Sequence, residues 1–317
     1  MANKKHHISS YQLAEHLNES LDLLKHELNA LGGNPDRIEL AEIERNIVQE
    51  LQSLRHESEL LTQQPIRTIH HLSCTGGTLI AKCIAALPNV QLLSEIDPLS
   101  TLQDKSKPMF GPTDLIKQWR QSSRGASNDD IIELFLTDMK VILKAATRAG
   151  QNVVIRDHSH SHFNSGPEIP ERPTIRRILQ RAFDVKSLVT VRHPADSYVS
   201  MVKNGWHTHF QPSDFKEYCD RYFFFLENYS DVYLIKYENF VKSPSDIMRK
   251  VANELALDYA DTYLSTFSAI KLTGDSGRTQ TTIIEHEPRK EAITLREENA
   301  ELVVYKELCS KLSYDLV

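Results

Sequence analysis

Four short groups of residues in this chain have types and spacings suited to chemistry. The first, Cys74-Thr75-Gly76-Gly77-Thr78-Leu79, follows the run Ile69-His70-His71-Leu72. Paired glycines let a backbone curl so that successive N–H groups point inward. A helix opening near Thr78 adds the positive end of its dipole. Together they form a cradle for phosphate or a phosphate-like group. By itself the turn reads equally well as plain structure, because neither G-x-x-x-x-G-K-[S/T] nor G-x-G-x-x-G is present. The second group is Arg192-His193-Pro194 followed by Ser200. Pro194 suits a first helical turn, and guanidinium plus hydroxyl is a plausible phosphate clamp. The third, Gly274-Asp275-Ser276-Gly277-Arg278, is a glycine loop able to lay an Arg and backbone N–H groups over an anion. The fourth is Arg156-Asp157-His158-Ser159-His160-Ser161-His162. If this segment is extended, its alternate histidines share a face and two of them could ligate one metal ion.

These groups need elements to hold them. Strands are expected at Arg67–Leu72, Val90–Ser94, Asn152–Arg156, Lys186–Val191 and Asp231–Lys236. Helices are expected at about 78–87, 129–149, 174–182, 195–203, 214–228, 245–256 and 295–313. Strand alternating with helix predicts parallel βαβ units and a sheet covered on both faces, a three-layer α/β domain over 65–317. Arg156 and Arg192 then stand at carboxyl ends of strands, the edge where open α/β sheets bind ligands. Loops at 97–128, 157–173 and 270–293 are long enough to be functional. Trp206 and Tyr222-Phe223-Phe224-Phe225 read as packing residues.

Before Pro65 the pattern differs. Leu13, Leu17, Leu21, Leu24, Leu28 and Leu31 form one apolar seam, and Gly32-Gly33-Asn34-Pro35 breaks it. A second seam runs through Leu40, Ile43, Ile47, Leu51 and Leu54. Residues 1–64 therefore read as a helical hairpin, an accessory piece packed on its own domain or an arm for a homodimer.

Composition narrows the classes further. The 317 residues hold 37 Lys+Arg, 43 Asp+Glu and 4 Cys, in ordinary globular proportions. The hairpin segment holds 6 Lys+Arg and 11 Asp+Glu and the remainder 31 and 32, so the main body is nearly neutral. A basic nucleic-acid stripe is not expected, and an anion must be held by a few aimed groups. No apolar run approaches the ~18 residues of a membrane span. Scattered cysteines without C-x-x-C spacing point to reduced thiols, a cytoplasmic location and no zinc site of that kind.

Taken in order, the motifs resemble the P-loop sulfotransferase superfamily over roughly residues 67–290. Its members move a sulfuryl group from 3′-phosphoadenosine 5′-phosphosulfate (PAPS) to an acceptor hydroxyl or amine. The resemblance assigns Cys74, Thr75, Gly76, Gly77, Thr78 and Leu79 to the first phosphate loop. It assigns Arg192 and Ser200, eight positions apart, to the 3′-phosphate, with Ser276, Gly277 and Arg278 touching the same group. Tyr237, in Lys236-Tyr237-Glu238-Asn239-Phe240, falls near the adenine. The family's usual basic residue in the first loop is Thr75 here, and Arg156 is the substitute it suggests. A Lys-Thr-His ending a strand in many members is similar to Arg156-Asp157-His158, which makes His158 the base. An imidazole titrating near neutrality can take the acceptor's proton. The transfer is chiefly positioning plus stabilisation of charge on oxygen, for which no metal is required. The implied partner is a hydroxyl-bearing carbohydrate, lipid or small molecule. A small-metabolite kinase and a catalytically silent nucleotide-binding protein of the same fold are the other readings of these residues.

Overall fold

The computed structural model describes residues 64–100, 113–273 and 281–317, together with His26. The hairpin expected before Pro65 and the late-loop residues Ser276, Gly277 and Arg278 lie outside the described residues. The chain packs as two compact units, one of residues 1–64 with 142–151 and one of 65–141 with 152–317. Within the first, the Gln64 amide donates to Thr147 Oγ1 at 3.0 Å and to the Gln151 carbonyl at 2.7 Å.

The second unit is built on five strands: β1 (Ile66–His71), β2 (Val90–Ile96), β3 (Asn152–Asp157), β4 (Val185–Val191) and β5 (Tyr233–Lys236). They pair in the order β2-β3-β1-β4-β5, every pair parallel. Helices α1 (Gly77–Ala85), α2 (Leu115–Arg120), α3 (Asn128–Arg148), α4 (Ser159–Phe163), α5 (Ile175–Leu179) and α6 (Pro194–Lys203) come first. Then follow α7 (Phe215–Asn228), α8 (Tyr237–Lys242), α9 (Pro244–Glu254), α10 (Tyr263–Thr266), α11 (Lys290–Glu298) and α12 (Val303–Leu312). Among the described residues, no helix is long and apolar enough to cross a membrane.

The two-residue period of each strand divides the core. Ile69, Val154, Leu188 and Ile235 pack on one face against α1, α8 and α9 through Ile80, Phe240, Met248 and Val251. Leu72, Val189 and Val191 pack on the other against α6, α7 and α12 through Met201, Tyr222, Phe225 and Leu308. Each such side chain stabilises the fold by roughly 1.5–3 kcal/mol. The three-layer α/β arrangement is therefore carried by the apolar pattern and leaves the strand ends available for polar work. Tyr222 and Phe225 are fully buried, whereas Phe224 is half exposed.

All five expected strands form, with ends displaced by no more than two residues. The helix expected over 295–313 is two helices. The Asn299 side chain donates to the Leu295 carbonyl at 2.8 Å and ends α11, as a side chain competing for backbone partners does. Helix α2 was not expected; its Asp114 N-cap accepts from Lys117 N at 3.0 Å. The extended reading of His158–His162 is corrected as well. Ser161 N donates to His158 O and Asn164 N to His160 O, both at 3.0 Å, closing the turn of α4. His158, His160 and His162 therefore do not share a strand face. His162 lies against the Pro170 carbonyl at 3.1 Å, apart from the other two.

Candidate functional site

Strand order sets where the site lies. Strand β1 is central, with β3 on one side and β4 on the other. The crossover from β3 to β4 passes it, which makes the carboxyl ends of these strands the topological switch point. The first loop leaves β1 there, Arg156 and His158 leave β3, Arg192 leaves β4 and Tyr237 follows β5.

The first loop is shaped by two left-handed residues, Cys74 at φ 65° and Gly76 at φ 87°. Gly76 is the N-cap of α1 and offers no side-chain cap. The N–H groups of the first helical turn, beginning at Gly77, Thr78 and Leu79, thus have no intrahelical acceptor and face an anion-attracting helix end. Close packing demands glycine at both positions. A Cβ on Gly76 would stand 2.2 Å from the Tyr237 ring, and one on Gly77 2.2 Å from the His71 ring. Thr75 is fully buried, its hydroxyl donating to the Leu72 carbonyl at 2.8 Å, so its side chain closes the turn. Leu79 packs on the core beneath the loop.

Tyr237 links this loop to the second motif. The Arg192 guanidinium lies 5.0 Å from the Tyr237 ring centroid and donates to Ser200 Oγ at 3.4 Å. Arg192, Asp196 and Ser200 are spaced by four and share a face at the start of α6, where Pro194 occupies the first turn. The His193 side chain accepts from Ala195 N at 3.2 Å and fixes the helix start. Asn204, on the same helix exit, donates to Cys74 Sγ at 3.5 Å and ties it back to the first loop. The contacts Cys74–Asn204, Gly76–Tyr237, Tyr237–Arg192 and Arg192–Ser200 bring the first two motifs and Tyr237 together. A cleft of about 250 Å³ adjoins them, lined by Arg192, Arg296 and Tyr237 and also by the carboxylates of Asp196, Glu238, Glu285 and Glu287.

Arg289 was not anticipated from the sequence. It donates to the same Ser200 oxygen at 3.3 Å. Two guanidiniums thus converge on one neutral hydroxyl. Like charges so placed repel; Asp196, 3.9 Å from Arg192, offsets part of this, and an anion bound at Ser200 would offset the rest. Arg289 sits in a stretch that reads only as a late loop, and nothing in its spacing marked it.

Arg156 is 2% exposed. It donates to His71 Nε2 at 2.9 Å, Thr78 Oγ1 at 2.8 Å, Ser94 Oγ at 3.0 Å and the Thr273 carbonyl at 3.1 Å, and pairs with Glu95 Oε1 at 2.7 Å. It therefore braces the first turn of α1 from below and places its charge beside it. His71 Nδ1–H donates to the Leu72 carbonyl, leaving Nε2 to accept from Arg156. Burial, and then the Arg156 charge, pushes the His71 imidazole down to about 3. A neighbouring buried network joins His70 Nδ1 to Asp157 Oδ2 at 2.7 Å, with Ser159 and Tyr229 hydroxyls on the same oxygen.

The His71 position has a measurable consequence. Its folded state stays neutral below the ordinary value of 6.5, while the unfolded chain takes up the proton. Stability is then fully present above 6.5 and falls as the pH drops toward 3, by about 1.4 kcal/mol per pH unit for one such group. His193, lowered by burial, adds in the same direction. Thermal unfolding followed from pH 7.5 to pH 4.5 is expected to show a midpoint that holds to about pH 6.5 and falls steadily below it. A flat profile across that range would contradict a buried neutral His71.

His158 is the N-cap of α4, with a partly exposed side chain. Its Nε2 lies 3.4 Å from Glu95 Oε2, and its ring meets His160 edge-on at 4.0 Å. Burial lowers its pKa, so the ring is neutral and carries a lone pair at neutral pH.

No family model and no curated protein matches the chain in sequence. Its structure is similar to solved sulfotransferases. The sulfotransferase domain from the Synechococcus PCC 7002 olefin synthase is 16% identical with a TM-score of 0.48, over 80% of this chain and 97% of that one. The sulfotransferase domain from the curacin biosynthetic pathway is 16% identical with a TM-score of 0.47, over 80% and 99%. A mouse sulfotransferase complexed with PAP is 16% identical with a TM-score of 0.38, over 78% and 84%.

Proposed function

We propose that this chain is a sulfotransferase that takes PAPS as co-substrate and passes its sulfuryl group to an acceptor hydroxyl. The observation that carries the reading is the row Gly76–Tyr237–Arg192–Ser200–Arg289 at the carboxyl edge of the parallel sheet. Two guanidiniums on one serine and the open N–H donors of a helix start stand in one small region of a nearly neutral body. Arg192, Ser200 and Arg289 suit the 3′-phosphate, and Tyr237 the adenine. The N–H groups of Gly77, Thr78 and Leu79 suit the 5′-phosphosulfate end. PAPS, when bound, supplies the sulfuryl group and a phosphate oxygen as leaving group.

The chain's own residues supply the rest. His158, neutral at pH 7, accepts the acceptor's proton at an imidazole nitrogen. Arg156, beside Thr78, sets a positive field where negative charge develops. Thr75, buried in the turn, leaves that field to Arg156 and the helix end. Ser276, Gly277 and Arg278 complete the anion site in this reading. The residues before Pro65 act as an accessory or dimerising arm.

Isothermal titration of the full-length protein with 3′-phosphoadenosine 5′-phosphate is expected to give one site in the micromolar range. No heat at high-micromolar nucleotide would overturn the proposal. Nucleotide binding with no transfer to a panel of sugar, lipid and phenolic hydroxyls would convert it to the binding-protein reading.

A further inference from the structure

Glu95 is the residue of this region that neither the fold nor the nucleotide reading explains. It sits at φ 59°, a left-handed conformation for a non-glycine residue. The pairing of β2 with β3 shifts register between Leu93 and Ile96 there. A side chain held so costs about 1–3 kcal/mol and marks a site where the strain has a use. Bulges at strand ends re-aim a side chain, and this one turns the Glu95 carboxylate toward α4. One oxygen, Oε1, is held by Arg156 at 2.7 Å. The other, Oε2, is buried and makes no well-aligned hydrogen bond. Nδ1 of His160 is likewise buried without a hydrogen-bond partner. Orphaned polar atoms of this kind cost stability unless something unseen satisfies them.

We propose that Glu95, His158 and His160 form a binding site for a first-row divalent transition metal of the Zn²⁺ class. One ligand atom from each residue lies within 4.8 Å of the other two. The His158 Nε2 to Glu95 Oε2 separation of 3.4 Å matches the edge, about 3.3 Å, of a tetrahedron with bonds near 2.05 Å. Two imidazoles and one carboxylate suit zinc and its neighbours in the series better than magnesium or calcium. Three protein ligands leave a fourth position open, as in zinc sites that exchange a small molecule. Arg156 on the outer carboxylate oxygen orients the ligand. The carboxylate of Glu95 stands beside His158, with Asp97 and Asp157 among the charges that act on its ring.

The site also carries regulation, a consequence that rests on the proposed sulfuryl transfer, whereas the metal binding does not. The lone pair that holds the ion is the one His158 needs to accept a proton. Occupancy and base function exclude each other, and the ion inhibits.

Zn²⁺ titrated into the full-length protein in a non-chelating buffer is expected to bind at one equivalent that Glu95→Gln and His160→Gln each weaken by roughly tenfold or more. Co²⁺ substituted for Zn²⁺ is expected to give visible absorption bands of a tetrahedral ion in the wild-type protein. Those bands are expected to fade in both variants. Unchanged zinc affinity in variants that melt like the wild type would overturn the site. So would the absence of cobalt bands from the wild type, even if the variants fold poorly. A protein that binds Zn²⁺ through these residues but transfers no sulfuryl group even after a chelator has stripped the metal would sink the proposed function and leave the metal site standing.

Discussion

His158→Ala is expected to lower sulfuryl transfer by roughly a hundredfold to ten-thousandfold, the range for loss of a positioned general base, while binding of 3′-phosphoadenosine 5′-phosphate is unchanged. The two effects separate because His158 stands at the end of β3 on the turn of α4, whereas the groups assigned to the nucleotide leave β1, β4 and β5. His158 bonds none of Arg192, Ser200 or Tyr237 among the described contacts. Its loss therefore falls on kcat and leaves the KM for PAPS in place. The pH dependence gives a second readout. Burial lowers the His158 pKa from 6.5, so activity of the wild type should hold to below pH 6.5 before its acid limb falls. In His158→Ala that limb should vanish together with the rate. Unchanged turnover in the variant would remove His158 from the role.

Arg192→Ala is expected to weaken the same nucleotide by roughly tenfold to a hundredfold, the loss of one or two charge-assisted hydrogen bonds. The guanidinium does two things at once. It bonds Ser200 Oγ and covers the Tyr237 ring that stands on Gly76. Removing it frees Tyr237 and leaves Arg289 alone on Ser200. Arg192→Lys should recover only part of the affinity, because an ammonium cannot both fork and lie flat on a ring. Affinity equal to wild type in Arg192→Ala would place the nucleotide elsewhere and overturn the site. Far-ultraviolet circular dichroism is expected to match the wild type, since the Arg192 side chain is partly exposed and lies at the edge of the sheet.

Several particulars of the site are legible in the sequence. The Gly76-Gly77 pair announced a tight turn into a helix, and the turn is there with Gly76 left-handed. Strand alternating with helix announced a parallel sheet, which placed Arg156 and Arg192 at its carboxyl edge. Such signals are local: a conformational requirement at one residue, or a period repeated along one segment. Other particulars were not readable. Arg289 reaches Ser200 across 89 positions. Glu95 reaches His158 and Arg156 only through a bulge whose register depends on the neighbouring strand. The helical turn at 159–163 rather than an extended strand is decided by packing, since Ser-His-Ser-His has no period that distinguishes the two.

What the amino-acid order determined by itself is the α/β alternation, the position of the glycine turn and the placing of two arginines at strand ends. Apolar period and glycine stereochemistry act over a few residues and need no partner. Only the tertiary structure decided that Arg156 is a buried brace, that Thr75 closes the turn, that two arginines share one serine and that Glu95 faces two histidines. Those outcomes depend on which strand lies beside which. Residues far apart in the chain become neighbours only when the core has set the sheet order, and their charges then settle against whatever that order brings to them.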